Sequence, residues 1–186
     1  MILKLRRSFH VMKYIPFQAY YNFAHLDINY NPVSFLDNAL LLTCLPGFLL
    51  YGLFNGIADA DSFDSSPQAR VAFILNFLMI AQVLIQTPAI IDGLQRCSNT
   101  SLNQENKPGK NYVTFLIISN LAIYFWDTVE AKTPISYWNV PGETGYYGTD
   151  FNTILNHFCS PMMSFYRFHS AVALADIWSS AYKTDD

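Results

Sequence analysis

Long apolar stretches alternate with short polar, charged ones along this chain. A helix needs about 20 mostly apolar residues to cross roughly 30 Å of hydrocarbon. Four stretches meet or approach that length. Residues 34–58 carry one charge, Asp37, near their start. Residues 71–91 carry none and are bounded by Arg70 and Asp92. Residues 111–126 are uncharged but short, and reach full length when Asp127 sits at the interface. Residues 151–175 are uncharged except for Arg167. The pattern predicts an all-α membrane protein with four transmembrane helices over about 34–58, 71–92, 111–130 and 152–177. Residues 1–33 precede them as a separate segment, and 34–183 form the membrane region.

Composition points the same way. Of 186 residues, 52% are hydrophobic and 13% charged, about half the roughly 25% charged residues of a soluble domain. A soluble helical core rarely contains an uncharged run as long as 71–91. The net charge of −3 gives no reason to expect a nucleic-acid partner. Cys44, Cys97 and Cys159 are odd in number and widely spaced, so they read as small hydrophobes rather than a disulfide framework.

Charge on the flanks sets an orientation. Residues 1–33 hold Lys4, Arg6, Arg7 and Lys13 against Asp27, and residues 92–110 hold Arg96, Lys107 and Lys110 against Asp92 and Glu105. The other two flanks are acidic: Asp59, Asp61 and Asp64 against Arg70, then Asp127, Glu130, Glu143 and Asp150 against Lys132. Basic loops stay cytoplasmic, which places both termini in the cytoplasm of a multi-pass cell-membrane protein. Residues 133–150, with Pro134, Pro141 and three glycines among Tyr and Trp, read as an ordered loop at the outer interface.

Polar side chains recur at membrane depth. Helical rise puts Gln82 about 18 Å and Gln86 about 24 Å from the boundary at Arg70. Asn120 lies about 15 Å from Glu130, and Tyr166 about 20 Å from a helix start near Thr153. Gln82 and Gln86 share one helix face, as do Asn120, Tyr124 and Asp127. Neutral amides and a phenol donate and accept hydrogen bonds, so they hold a water chain without trapping a cation. Conduction needs such weak, multi-site binding. The competing reading is interhelical glue, each such contact contributing about 0.6–2 kcal/mol, and spacing alone leaves both open.

Titratable groups supply secondary candidates. His157 lies in the outer third, where it can titrate against external water. Arg167, about 25 Å from the outer boundary, is close enough to the inner face to snorkel, and His169 lies further inward still. Both read as interfacial anchors. The histidines do not pair at ligand spacing with Cys or carboxylates, so no metal site is expected. No nucleophile–base pair, phosphate loop or redox motif appears, and neither an enzyme nor a cofactor is expected.

Three segments carry a family resemblance. They are Gln82-Val-Leu-Ile-Gln86-Thr-Pro-Ala-Ile-Ile-Asp-Gly, the stretch from Lys107-Pro-Gly-Lys through Ser-Asn120-Leu-Ala-Ile-Tyr to Glu130, and Ser160-Pro161-Met-Met-Ser-Phe-Tyr166-Arg-Phe-His169-Ser170-Ala. In this order they resemble the late transmembrane helices of otopetrins, and the span from Leu36-Asp37 to Tyr51 looks like the helix before them. The resemblance implies a proton-selective channel of twelve helices in two six-helix halves, assembled as a homodimer. It implies that these four spans match helices nine to twelve, part of a six-helix half-barrel. It also implies that Gln86, Asn120 and Tyr166 line a hydrophilic constriction, with Gln82 the alternative to Gln86. Asp127, Glu130, His157, Arg167 and His169 remain secondary. Val129 stands where the family usually has Phe. The barrel would need its missing helices from elsewhere, so the expected partners are protons, the lipid bilayer and either a second copy or those helices.

Two other classes compete. A four-helix membrane enzyme of the glutathione- or lipid-handling type would use Arg167 to bind an anion, and should gather several arginines where this chain has one in a span. An accessory membrane subunit would use the polar residues only as glue.

Overall fold

The computed structural model describes residues 16–22, 25–28, 35–130 and 146–182, the Glu130 side chain excepted. The expected loop at 133–150 falls outside them as far as residue 145. Four long helices carry the architecture: α1 (Phe35–Asp61), α2 (Pro67–Gly93), α4 (Lys110–Glu130) and α5 (Thr149–Ser180). A six-residue helix, α3 (Ser101–Asn106), sits in the segment read from sequence as an irregular loop. Strand β1 (Asp27–Ile28) pairs antiparallel with β2 (Arg96–Cys97), a minor departure from an all-α chain.

Helix boundaries follow local chemistry. Ser66 caps α2, its Oγ accepting from the Ala69 N–H at 3.4 Å, and Pro67 follows at the first turn, where its missing N–H costs nothing. α3 ends at Lys107 with a φ of 43°, and Gly109 follows at 86°, a left-handed turn that starts α4 afresh. α1 runs past the apolar stretch to Asp61, carrying Asp59 into the bundle instead of into a loop.

α5 is the central helix. It packs along α4 and α1 and touches α2, while α1 packs along α2. The bundle is therefore an arc in the order α4, α5, α1, α2. Close approach of α1 relies on glycine: a Cβ on Gly47 would stand 2.9 Å from Met162 Cβ and 3.6 Å from the Cys159 carbonyl of α5. Small residues at such crossings let backbones pack without a hydrophobic driving force in lipid. The interior is lined by Leu41, Phe48, Val83, Ile90, Leu116, Tyr166, Leu174 and Ile177.

The outer faces are apolar. Leu42, Leu49, Leu53 and Ile57 form an exposed stripe on α1, and Phe115, Ile118, Phe125 and Trp126 another on α4. Apolar surface this extensive is foreign to a soluble monomer. Among the described residues, α1, α2 and residues 110–129 of α4 are long and apolar enough to cross a membrane. α5 is longer, at 32 residues, but Asn152, Asn156, His157, Ser160, Ser164, Arg167 and Ser170 make it more polar. Three helices, rather than the expected four, qualify by length and composition.

The end holding β1 and β2 is tied together by polar contacts. Asp27 accepts from the Asn99 and Thr100 N–H groups, each at 3.0 Å, and from the Thr100 hydroxyl at 3.3 Å. These bonds, that of the Thr100 backbone foremost, hold the Asp27 carboxyl below its ordinary value of 3.8. Arg96 donates to the Leu26 carbonyl at 3.0 Å, Ser98 Oγ to that of Ala181 at 2.9 Å and Tyr182 Oη to that of Pro108 at 3.0 Å.

Candidate functional site

α2 presents two buried glutamines on one face, and α4 presents a buried asparagine opposite them. Gln82 Nε2 donates to Gln86 Oε1 at 3.0 Å. Gln86 Nε2 donates to Asn120 Oδ1 at 3.1 Å, and Asn120 Nδ2 donates to the Leu116 carbonyl at 2.8 Å. The three amides form one directed chain. α2 and α4 are the two edges of the helical arc, so the Gln86–Asn120 bond spans its open side. Of the two glutamines, Gln86 is the one that reaches α4.

Tyr166 enters from α5 and reaches α2 at the next residue. Its hydroxyl lies 2.9 Å from Thr87 Oγ1, which itself donates to the Val83 carbonyl at 2.9 Å. A threonine hydroxyl has one proton, so Tyr166 is the donor in the shared bond. The phenol is fully buried and packs edge-on against Phe48, with ring centroids 5.1 Å apart. The structure thus gathers Gln82, Gln86, Asn120 and Tyr166 around one stretch of α2. The tyrosine is joined through Thr87 rather than through an amide.

Arg167 departs from the sequence expectation. It does not snorkel: it is 4% exposed, and its guanidinium carbon sits 5.2 Å from the Phe48 ring centroid and 5.9 Å from that of Tyr166. The rotation of α5 decides this, because Tyr166, Arg167 and Ser170 all fall on the face toward the other helices. A charge at membrane depth is costly and is ordinarily paired. Asp127 of α4 is the carboxylate whose field reaches it.

The remaining candidates are spread out. His169, well inside α5, faces the start of α1, with Nε2 3.3 Å from the Asp37 carbonyl and 3.7 Å from Asp37 Oδ1, and it stacks on Phe165. It ties α5 to the start of α1. His157 is exposed on α5, and Asp127 is half-buried on α4. Glu130 closes α4, its side chain lying outside the described residues.

Sequence reasoning missed Thr87, Phe48 and a second polar pair, buried Asp59 and half-buried Asn76, joined at 2.8 Å. Thr87 had a usable signal: Asn76, Ile80, Val83 and Thr87 recur at helical spacing, marking a second seam of α2 beside the glutamine face.

The otopetrin family model matches residues 8–168, most of the chain and all three residues of the implied constriction. The chain belongs to the otopetrin family. One relative is the proton channel OtopLc of Drosophila melanogaster, 34% identical over 148 residues. That match covers 80% of this otopetrin chain and 9% of the relative. The chain therefore spans less than a tenth of the length of the curated relative it matches. The match reaches Tyr166, Arg167 and Phe168, so the family likeness runs through the polar cluster of α5 itself.

Proposed function

We propose that this otopetrin chain forms part of a proton channel, supplying four spans of a six-helix half, with Gln86, Asn120 and Tyr166 at its hydrophilic constriction. The observation that carries the reading is the hydrogen-bonded amide chain bridging the two edges of the arc, beside a buried phenol. Such groups relay protons by exchanging hydrogen bonds with water, yet offer a metal cation no carboxylate cage. Direct amide-to-amide contact, with 3.0 Å and 3.1 Å bonds, describes a shut constriction. Conduction requires those bonds to open and admit water.

α5 is the fourth span in this reading. Its 32 residues rise about 48 Å, ample for a bilayer; Asn152, Tyr166, Arg167 and Ser170 turn inward, while Ile154, Phe158, Phe165 and Val172, with Asn156 and His157, are exposed. The acidic end, with Asp61 and Asp64, faces outside the cell, and the basic end with Arg96, Lys107 and Lys110 faces the cytoplasm. The exposed apolar stripes and the open arc suit further channel helices and a second copy as partners.

Asn120→Ala tests this in the complete channel assembly, by acid-evoked proton current together with surface expression. A constriction predicts changed conductance in a protein that still assembles. Glue predicts lost expression with unaltered conductance in the channels that remain, and that result would overturn the assignment.

A further inference from the structure

Away from the amide chain, one carboxylate is enclosed by the protein but only half used by it. Asp59 is 0% exposed, and its Oδ2 accepts from Asn76 Nδ2 at 2.8 Å. Its other oxygen, Oδ1, is equally buried and has no hydrogen-bond partner. An ionised carboxylate offers about four lone-pair sites, and a buried charge is ordinarily paired or held by several donors. Among the described residues, one neutral amide is all that meets this one.

Among the described residues, the surroundings supply no counter-charge. α1 packs against α2 and α5. From α2 the neighbour is Asn76, and Arg70 is exposed; from α5 the titratable groups at this end, Asp150 and His157, are exposed. Asp61 and Asp64, just beyond on the chain, point to solvent. The buried polar neighbours are neutral: Asn55, one turn earlier on α1, and Asn152 of α5, whose Oδ1 also lacks a donor. The Phe54–Phe151 ring contact, 5.1 Å between centroids, sets the two asparagines at a similar height. Two acceptors at one end of the bundle thus want a donor.

We propose that Asp59 is a proton-binding site, separate from the amide constriction, that sets the channel's response to acid at this end. Oδ1 takes the proton from a hydronium ion, leaving a neutral carboxylic acid and a water molecule. Oδ2 keeps its bond to Asn76 throughout, so loading breaks no existing contact, removes the buried charge and turns Oδ1 into a donor. Access is short: Asp59 is two residues from exposed Asp61, about 3 Å of helical rise.

The site does not feed the tyrosine directly. Asn76 and Thr87 lie on one seam of α2, 11 residues and about 16 Å apart. Ile80 and Val83 fill the seam between them, Ile80 standing 2.5 Å from where a Gly52 Cβ would be. Protonation acts instead on the α1–α2 contact, by removing its unbalanced charge. The consequence for current rests on the channel reading; the proton site itself does not.

pH-difference infrared spectroscopy on the full chain in lipid nanodiscs tests the site, and proton current in the complete assembly tests the consequence. Acidification should raise a buried-carboxyl C=O band that Asp59→Asn abolishes. Asn76→Leu, which removes the single donor, should keep the band but move its frequency and its midpoint to higher pH. A band unchanged in Asp59→Asn would overturn the proposal. In the assembly, Asp59→Asn should flatten the dependence of current on external pH at least twofold while proton selectivity stays as it was. An unaltered pH dependence would refute the regulatory role. If the unsubstituted assembly passes no protons although the band is present, the channel reading fails and the proton site stands.

Discussion

The amide chain makes a quantitative prediction about Gln86 and Asn120. Asn120→Leu removes the acceptor of the 3.1 Å bond from Gln86 and leaves that buried Nε2 without a partner. The Leu116 carbonyl loses only an extra donor, so the main cost is one orphaned amide, about 1–3 kcal/mol. Gln86→Leu is worse placed, since it strands both Asn120 Oδ1 and Gln82 Nε2. The double variant strands only Gln82, and replacing both partners by apolar groups of similar shape is nearly neutral. The two single variants together orphan three groups against one in the double, a difference of about 2–6 kcal/mol at that cost per group, and the smaller couplings measured between membrane helices bring the expected value down to about 1–2 kcal/mol. Reversible unfolding of the four proteins in mixed micelles reads that coupling. A single variant that keeps more than about 1.4 kcal/mol of unfolding free energy in that measurement is more than nine-tenths folded. A fall in proton flux beyond tenfold in either variant cannot then come from unfolding. A coupling below about 0.3 kcal/mol, within the error of additivity, would mean the bond does not form. Full coupling with flux within twofold of the parent would make the amides glue and refute their place in the path.

Tyr166→Phe removes the donor to Thr87 at 2.9 Å and leaves Thr87 bonded to Val83, so stability should fall by only about 0.5–1.5 kcal/mol; proton current in normally expressed channels should change, and an identical current excludes the phenol from the path. Gly47→Val drives a side chain into Met162 and toward the Cys159 carbonyl and should destabilise the α1–α5 contact by about 1–3 kcal/mol, whereas Gly56→Ala meets nothing within 4 Å and should gain a few tenths up to about 1 kcal/mol from helix propensity; thermal unfolding reads both, and equal effects would contradict the packing. The Asp27 clamp has a folded value below the ordinary 3.8, so its contribution is present above that pH and is lost as pH falls through the folded value. Hydrogen exchange at the Asn99 and Thr100 amides should stay slow from pH 7 to 5 and quicken in Asp27→Asn; unchanged exchange in that variant would show that the carboxylate does not hold the segment.

Much of the site was legible because depth and spacing are linear quantities. Gln82 and Gln86 are four residues apart, and Asn120, counted from Glu130 on the same outer side, sits at comparable depth. Those facts need no tertiary information, and the structure joins all three. Which glutamine meets α4 was not legible. Both share one face, and only the rotation of α2 against α4 selects Gln86. Tyr166 stood out through its resemblance to a family motif, but its link through Thr87 did not, because a threonine beside a glutamine looks like incidental polarity. Arg167 failed for a related reason. Distance to the boundary argued for snorkelling, whereas the phase of α5 put Tyr166, Arg167 and Ser170 together on the buried face.

Asp59 shows the same distinction most sharply. By length, an acid just beyond an apolar run belongs to the flanking loop, and charge counting uses it there to orient the chain. By phase, it belongs to the interior: Leu41, Cys44, Phe48, Gly52, Asn55 and Asp59 recur at three- and four-residue intervals and are the buried side of α1. That seam is visible in the sequence once the exposed stripe of Leu42, Leu49, Leu53 and Ile57 is set against it. The two descriptions disagree only at the helix end, where α1 continues for three residues past the apolar run. One further turn of helix converts a solvated flank charge into a buried carboxylate with a free oxygen. Hydropathy locates the apolar helices, whereas rotational phase decides which of their polar residues are buried. Asp59 is in phase with the buried seam and is the first residue past the apolar stretch, which leaves it buried within a turn of exposed Asp61.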